Sequence, residues 1–247
     1  MGIVADAWTW LTTGAHWTGE DGVAARLAEH AYVSVLALLI AGAVALPLGL
    51  WLGHLGRGGA LAVNVSNVGR AVPVFAVLAL FMVSPLRNAG YVPTVTALVL
   101  FAIPPLLTNA YVGVREVDRA AVRAARGMGM TGVQVFRRVE LPLAAPVVMT
   151  GVRSAAVQVV ATATIAAMVG QGGLGRIITA GFALYDTAQV VAGAVLVALL
   201  ALVVEGLLVG LDRLLVPRPP GRRAPPGRPA RPGRDVLQDT DSEGLNP

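Results

Sequence analysis

Cysteine is absent from the 247 residues, and so is lysine, because all nineteen basic residues are arginine. The first absence excludes disulfides, thiolate metal ligands and cysteine nucleophiles. The second excludes a nucleotide-binding P-loop, whose lysine must reach the phosphates. Charged residues make up only 13% and aromatics 5%, and His16, His30 and His54 are scattered along the chain. Neither a zinc site nor a clustered acid–base set can be assembled from them, so no enzyme activity, cofactor or metal is expected of this chain. What abounds is apolar: 55% of the residues, with a mean hydropathy of +0.70. That is too apolar for a soluble domain of this length, and the bilayer is the expected solvent. The net charge of +5 does not indicate nucleic acid, since most arginines flank apolar runs instead of gathering on a soluble face.

A helix needs roughly 20 apolar residues to cross the hydrocarbon core. Five segments meet that requirement, at residues 31–53, 60–83, 91–113, 143–169 and 188–211, the second tolerating Arg70 and Pro73 near its middle. Arginine marks the cytoplasmic loops. Arg57, the six arginines of the 114–142 loop and the seven that follow residue 211 make fourteen on one side, against Arg26, Arg87 and Arg176 on the other. The expectation is an all-α integral membrane protein with five transmembrane helices, N-terminus outside and C-terminus cytoplasmic. Residues 1–25 lack a basic n-region and a small-residue cleavage site, so they are expected to be retained as an extracytoplasmic segment. Trp8, Trp10 and Trp17 suit either a short interfacial helix or a frayed end. Residues 26–213 form the membrane domain, and the Pro- and Arg-rich 214–247 read as a disordered cytoplasmic tail.

The 114–142 loop (VREVDRAAVRAARGMGMTGVQVFRRVELP) is far longer than a turn between membrane helices requires. Asp118 suits the N-cap of a helix rich in alanine that Gly127 and Gly129 end. Thr131 suits the N-cap of a second, over 132–138, with Val133, Val135 and Phe136 on one side and Arg137 and Arg138 in water. Leu141-Pro142 is expected to close that helix and start the next span.

Ala124, Ala125, Gly129, Val139, Leu141 and Pro142 fall at the spacings of the EAA motif (EAA, three residues, Gly, nine residues, Ile-x-Leu-Pro). The chain therefore resembles the permeases of binding-protein-dependent ABC importers. Two positions depart from the motif: Arg123 stands where the family usually has Glu, and Val139 where it has Ile. The phrases GRAVPVFAVLALF (69–81), RGMGM (126–130), IPPLLTNAYVGV (103–114) and GVRSAAVQVVATATIAAMVGQGGLG (151–175) are most similar to permeases of glycine betaine, carnitine and choline importers. The resemblance covers about residues 20–215. It implies a type I importer fold in the bacterial cytoplasmic membrane, paired with a second permease subunit, a cytoplasmic ABC ATPase and an extracytoplasmic substrate-binding protein. It further implies that Arg123, Ala124, Ala125, Gly127, Gly129, Val139, Leu141 and Pro142 belong to the loop that couples the ATPase to the membrane helices. Chemical selection of the solute would then rest largely with the binding protein, and a methionine-type amino acid importer stays open as an alternative.

GQGGLG (170–175) satisfies the dinucleotide-binding spacing, but it follows a membrane span instead of a strand and has no acidic residue about 20 further on, so it is not read as a cofactor site. Arg70, Arg153 and Glu205 fall in or near spans, where charge is costly, and pairing or packing is the expected role. Gln158, Thr162 and Thr164 offer hydrogen bonding without charge on the fourth span, suiting either the translocation path or helix packing. Five spans do not divide into the inverted repeat of a secondary transporter. A membrane scaffold that binds an ATPase and transports nothing remains a separate possibility, which solute flux would decide.

Overall fold

The computed structural model describes residues 2–169 and 171–215, with the side chains of Leu61, Val63, Ser66, Arg70 and Leu215 left aside. The expected tail therefore lies outside the described residues apart from positions 214 and 215, which end the last helix. Every regular element is helical: α1 (Ile3–Thr12), α2 (Val23–Leu55), α3 (Gly59–Ala71), α4 (Val74–Val83), α5 (Val92–Arg115), α6 (Arg119–Gly127), α7 (Gly132–Val135), α8 (Leu141–Ala166), α9 (Gly175–Leu184) and α10 (Thr187–Leu215).

Four stretches are long and apolar enough to cross a membrane: Val23–Leu55, Val92–Arg115, Gly132–Val169 and Thr187–Leu214. The expected second span is not one helix. It is divided into α3 and α4 at Val72 and Pro73, both in extended backbone. Proline disfavours α conformation in the residue before it and has no N–H for the ladder, so the helix stops there. The first span also differs from expectation. At 33 residues α2 runs about 50 Å at 1.5 Å per residue, well beyond a hydrocarbon core of about 30 Å, and it carries Arg26, Glu29 and His30 in two extra N-terminal turns.

The core sits where α2, α5 and α8 meet. Ala37, Ala41, Ala45, Gly49 and Gly53 recur every fourth residue along α2, and all five are buried. This stripe of small residues lets two backbones approach closely in a membrane. A Cβ at Gly49 would stand 2.7 Å from the Leu107 carbonyl oxygen, and one at Gly53 2.9 Å from that of Tyr111. Leu98, Ala102, Leu106 and Leu107 of α5 and Ala155, Val159 and Ala163 of α8 complete the same cluster. By contrast α10 exposes Leu199, Leu202, Val203 and Leu207, as a helix bathed in lipid or facing another subunit must.

Candidate functional site

The segment between α5 and α8 is a structured helix pair. The Asp118 carboxylate accepts from the Ala120 N–H at 2.8 Å and caps α6. Thr131 and Gln134 form a reciprocal capping box on α7, Gln134 Oε1 accepting from the Thr131 N–H at 2.8 Å. Between them Gly129 takes φ +84°, which a side chain rarely adopts. Val114, Val117, Val122, Ala125, Val135 and Ala144 form a small core of their own that fastens the pair to the ends of α5 and α8.

Two expectations about this segment are corrected. Leu141-Pro142 does not end the second helix: Phe136–Glu140 is a π turn, the Leu141 N–H donating to the Phe136 carbonyl, and α7 runs through it into α8. The wider turn re-registers the ladder just before Pro142, which has no N–H to offer the preceding turn. Val133 does not share a side with Val135. It is 65% exposed, whereas Val135 is fully buried, because residues two apart on a helix face nearly opposite ways.

The exposed face of the pair is therefore mixed. Arg123, Ala124, Gly127 and Gly129 are open to solvent, with Met128 72% exposed beside them, while Ala125 is buried and Val139 half-buried. A Cβ at Gly127 or Gly129 would meet nothing within 4 Å, so the chain itself does not require these glycines for space. No ion pair engages Arg123 among the described residues. Leu141 and Pro142 lie exposed at the start of α8.

A joint not foreseen from sequence ties this segment to α2. His54 Nδ1 lies 2.5 Å from a carboxylate oxygen of Glu140, whose side chain is 2% exposed, and the Phe136 ring packs edge-on against the imidazole at 5.2 Å. The partners are 86 residues apart, and only the acidic residue placed just before an apolar span hinted that it needed one. A second joint closes the opposite end. Glu29 accepts from the Gly173 N–H at 2.9 Å and pairs with Arg26 at 2.7 Å. The buried His30 ring accepts from the Leu174 N–H at Nδ1 (3.3 Å), so Nε2 carries the hydrogen and donates to the Val160 carbonyl at 2.9 Å. The glycine stretch after α8 is thus held by side chains of α2 at the start of α9.

Arg153 of α8 pairs with Glu205 of α10, as the pairing expectation held. The candidate path residues are less gathered. Thr162 is buried inside the chain, the Thr164 hydroxyl oxygen is buried without a hydrogen-bond partner among the described residues, and Gln158 is half-buried.

An all-helical multi-pass membrane subunit with a long, structured, partly apolar surface loop is the class that this fold defines. The chain belongs to the family described as binding-protein-dependent transport system inner membrane component, whose pattern matches residues 45–218. Among similar proteins, the choline transport system permease protein OpuBB of Bacillus subtilis is 38% identical over 76% of this chain and 86% of its own length. The glycine betaine/carnitine/choline transport system permease protein OpuCB of the same organism is 35% identical over 78% and 88%. The carnitine transport permease protein OpuCB of Listeria monocytogenes is 38% identical over 77% and 86%. Of solved structures, the inward-facing MetNI methionine ABC transporter matches with a TM-score of 0.68 at 21% identity, covering 79% of this chain and 96% of that one. An amino acid ABC transporter with histidines matches with a TM-score of 0.64 at 19% identity over 87% and 99%. At these identities the likeness shows the fold, that of type I ABC importer permeases.

Proposed function

We propose that this chain is the permease subunit of an ATP-driven importer for osmoprotectants of the choline, glycine betaine and carnitine class, in a bacterial cytoplasmic membrane. The observation that carries the reading is identity of 35–38% over three quarters of the chain with permeases named for those solutes. In this reading α3 and α4 together make one broken crossing, giving five, with the N-terminus outside and the C-terminus cytoplasmic. An extracytoplasmic binding protein delivers the solute, a second permease subunit completes the path, and a separate cytoplasmic ATPase supplies the energy.

The exposed face of α6 and α7 is the docking surface for that ATPase. A surface helix fused to α8 through a continuous turn, and clamped to α2 by His54 and Glu140, cannot shift without moving two core helices. That is the mechanical requirement for turning closure of an ATPase dimer into alternating access. Arg123 replaces the family's usual acid on this face and is free to meet an acidic group of the ATPase. Of the candidate path residues Gln158 keeps part of its surface open, while Thr162 and the Thr164 hydroxyl turn into the bundle and suit packing.

Uptake of labelled choline and glycine betaine at high osmolarity, in cells lacking the gene and complemented with the wild type or with Gly129→Asp, tests the reading. Restoration by the wild type and loss in a stably inserted mutant is the expected result. Uptake independent of the gene overturns the solute class, and methionine is then the next solute to assay.

A further inference from the structure

Trp8, Trp10 and Trp17 precede residues 45–218, the stretch matched by the family pattern, and have no part in the coupling loop or the candidate path. They belong to a folded segment. α1 packs against α10, with Ala7 buried, and Trp10 joins Leu196, Val197 and Leu200 of α10 around the buried cluster of Val23, Leu174 and Ile177. After α1 a single 3-10 turn at Gly14–His16 folds the chain back. The His16 imidazole then stacks on the Trp10 indole at 4.3 Å and donates from Nδ1 to the Trp10 carbonyl at 2.9 Å. The Trp17 indole N–H donates to the Leu11 carbonyl at 2.7 Å. This is a tied-down helix, not a frayed end.

The surface of α1 is divided lengthwise. Residues four apart on a helix share a side, and residues two apart face nearly opposite ways. Val4, 81% exposed, and Trp8, 68% exposed, stand on one side. Asp6 and Thr9, also exposed, stand on the opposite side, with the packed residues Ala7 and Trp10 between the two. The hydroxyls of Thr9, Thr12 and Thr13 donate to carbonyls of their own segment, those of Ala5 (3.0 Å), Trp8 (2.9 Å) and Thr9 (2.8 Å), so they do not depend on water for a partner.

The same end of the bundle carries further aromatic surface. Tyr32 of α2 and Tyr91 at the start of α5 are both exposed and meet edge-on with ring centroids 5.9 Å apart, and Tyr185 stands exposed between α9 and α10. Rings with one polar atom collect at the level of lipid headgroups, where the body is buried and the polar atom stays wet.

We propose that α1 is a membrane-surface anchor: its Val4–Trp8 side enters the hydrocarbon edge of the leaflet at this end of the bundle, and its Asp6–Thr9 side stays in water. An ionised carboxylate is costly in hydrocarbon, so Asp6 holds the helix at the surface and prevents it from sinking. An apolar side backed by a polar one is the pattern of helices that lie in the interface. The leaflet is the occupant because α10, against which α1 packs, has the least buried surface of the four long apolar stretches, which puts α1 where lipid is nearest. The inference needs only the membrane residence of the chain and is independent of the solute.

The chain contains no cysteine, so Val4→Cys and Thr9→Cys each carry its only thiol. The full chain, bearing a nitroxide at one or the other, is reconstituted in vesicles of phosphatidylcholine and phosphatidylglycerol. Relaxation of the nitroxide by oxygen, which concentrates in hydrocarbon, is compared with relaxation by water-soluble nickel ethylenediaminediacetate. The ratio of oxygen to nickel accessibility is expected to be several-fold higher at Val4 than at Thr9. Nickel reaching both positions equally would place α1 in water, and oxygen favoured equally at both would sink it wholly in hydrocarbon. A label at Val4 screened from both reagents would mean that protein covers it. Any of these three results overturns the anchor.

Discussion

Gly127 and Gly129 stand side by side on the exposed loop but are held by different constraints. Gly129 needs its positive φ, so Gly129→Ala costs about 1 kcal/mol of local strain. Gly127 ends α6 in ordinary backbone with open space around it. Gly127→Leu is therefore expected to leave the melting temperature of the purified permease chain unchanged while reducing ATP-dependent uptake, since only a docked partner would meet the new side chain. Full uptake by that variant would remove Gly127 from the docking face. Glu140 makes the opposite case. Its carboxylate is buried against His54, so Glu140→Ala strips a partner from a half-buried imidazole and is expected to cost about 1–3 kcal/mol. Glu140→Gln keeps a hydrogen-bonding oxygen and should cost less, and thermal unfolding in detergent of both variants checks the order. Asp118 and Thr131 were legible as caps, since a cap needs only partners two or three residues away. His54 and Glu140 were not, because nothing local relates them.

The elements depend on small residues more than on large ones. Gly49 and Gly53 bring α2 against α5 so closely that a side chain would strike backbone. Gly49→Val is expected to lower stability by about 1–3 kcal/mol, as overpacking against a rigid carbonyl does. Gly42→Val, where an added Cβ meets only the end of Leu46 at 3.8 Å, should change little. Equal losses at the two positions, read by protease resistance of the solubilised importer, would argue against the seam. The four-residue spacing of Ala37, Ala41, Ala45, Gly49 and Gly53 became meaningful only once α5 was seen packed along it. The break at Val72-Pro73 was signalled, by Pro73, yet the apolar run through it reads as one span because hydropathy is blind to backbone conformation.

At the scale of the whole molecule, α10 joins the bundle with little of its surface buried, and the Arg153–Glu205 ion pair is a charged link from it to α8. Removing one partner leaves an unpaired charge in a span, whereas replacing both removes the cost. Arg153→Met is expected to impair insertion or stability more than the double variant with Glu205→Met. The amount of full-length protein in the membrane fraction and its melting temperature decide this, and a double variant worse than both singles would contradict it.

Membrane residence, the helical class, three of the spans to within a few residues, and a capped helix pair between α5 and α8 were all determined by the sequence itself. Length of apolar run, arginine placement and cap chemistry are local properties, written within a few turns of chain. Tertiary structure alone decided the reach of α2, whose first turns bind the glycine stretch before α9, and the π turn that makes α7 and α8 one continuous path. It also decided that Val133 faces out, that His54 closes on Glu140, and that Gly69 of α3 packs against Pro104 of α5. Each of these depends on which distant backbone arrives alongside, and that is set by how small residues let the helices pack.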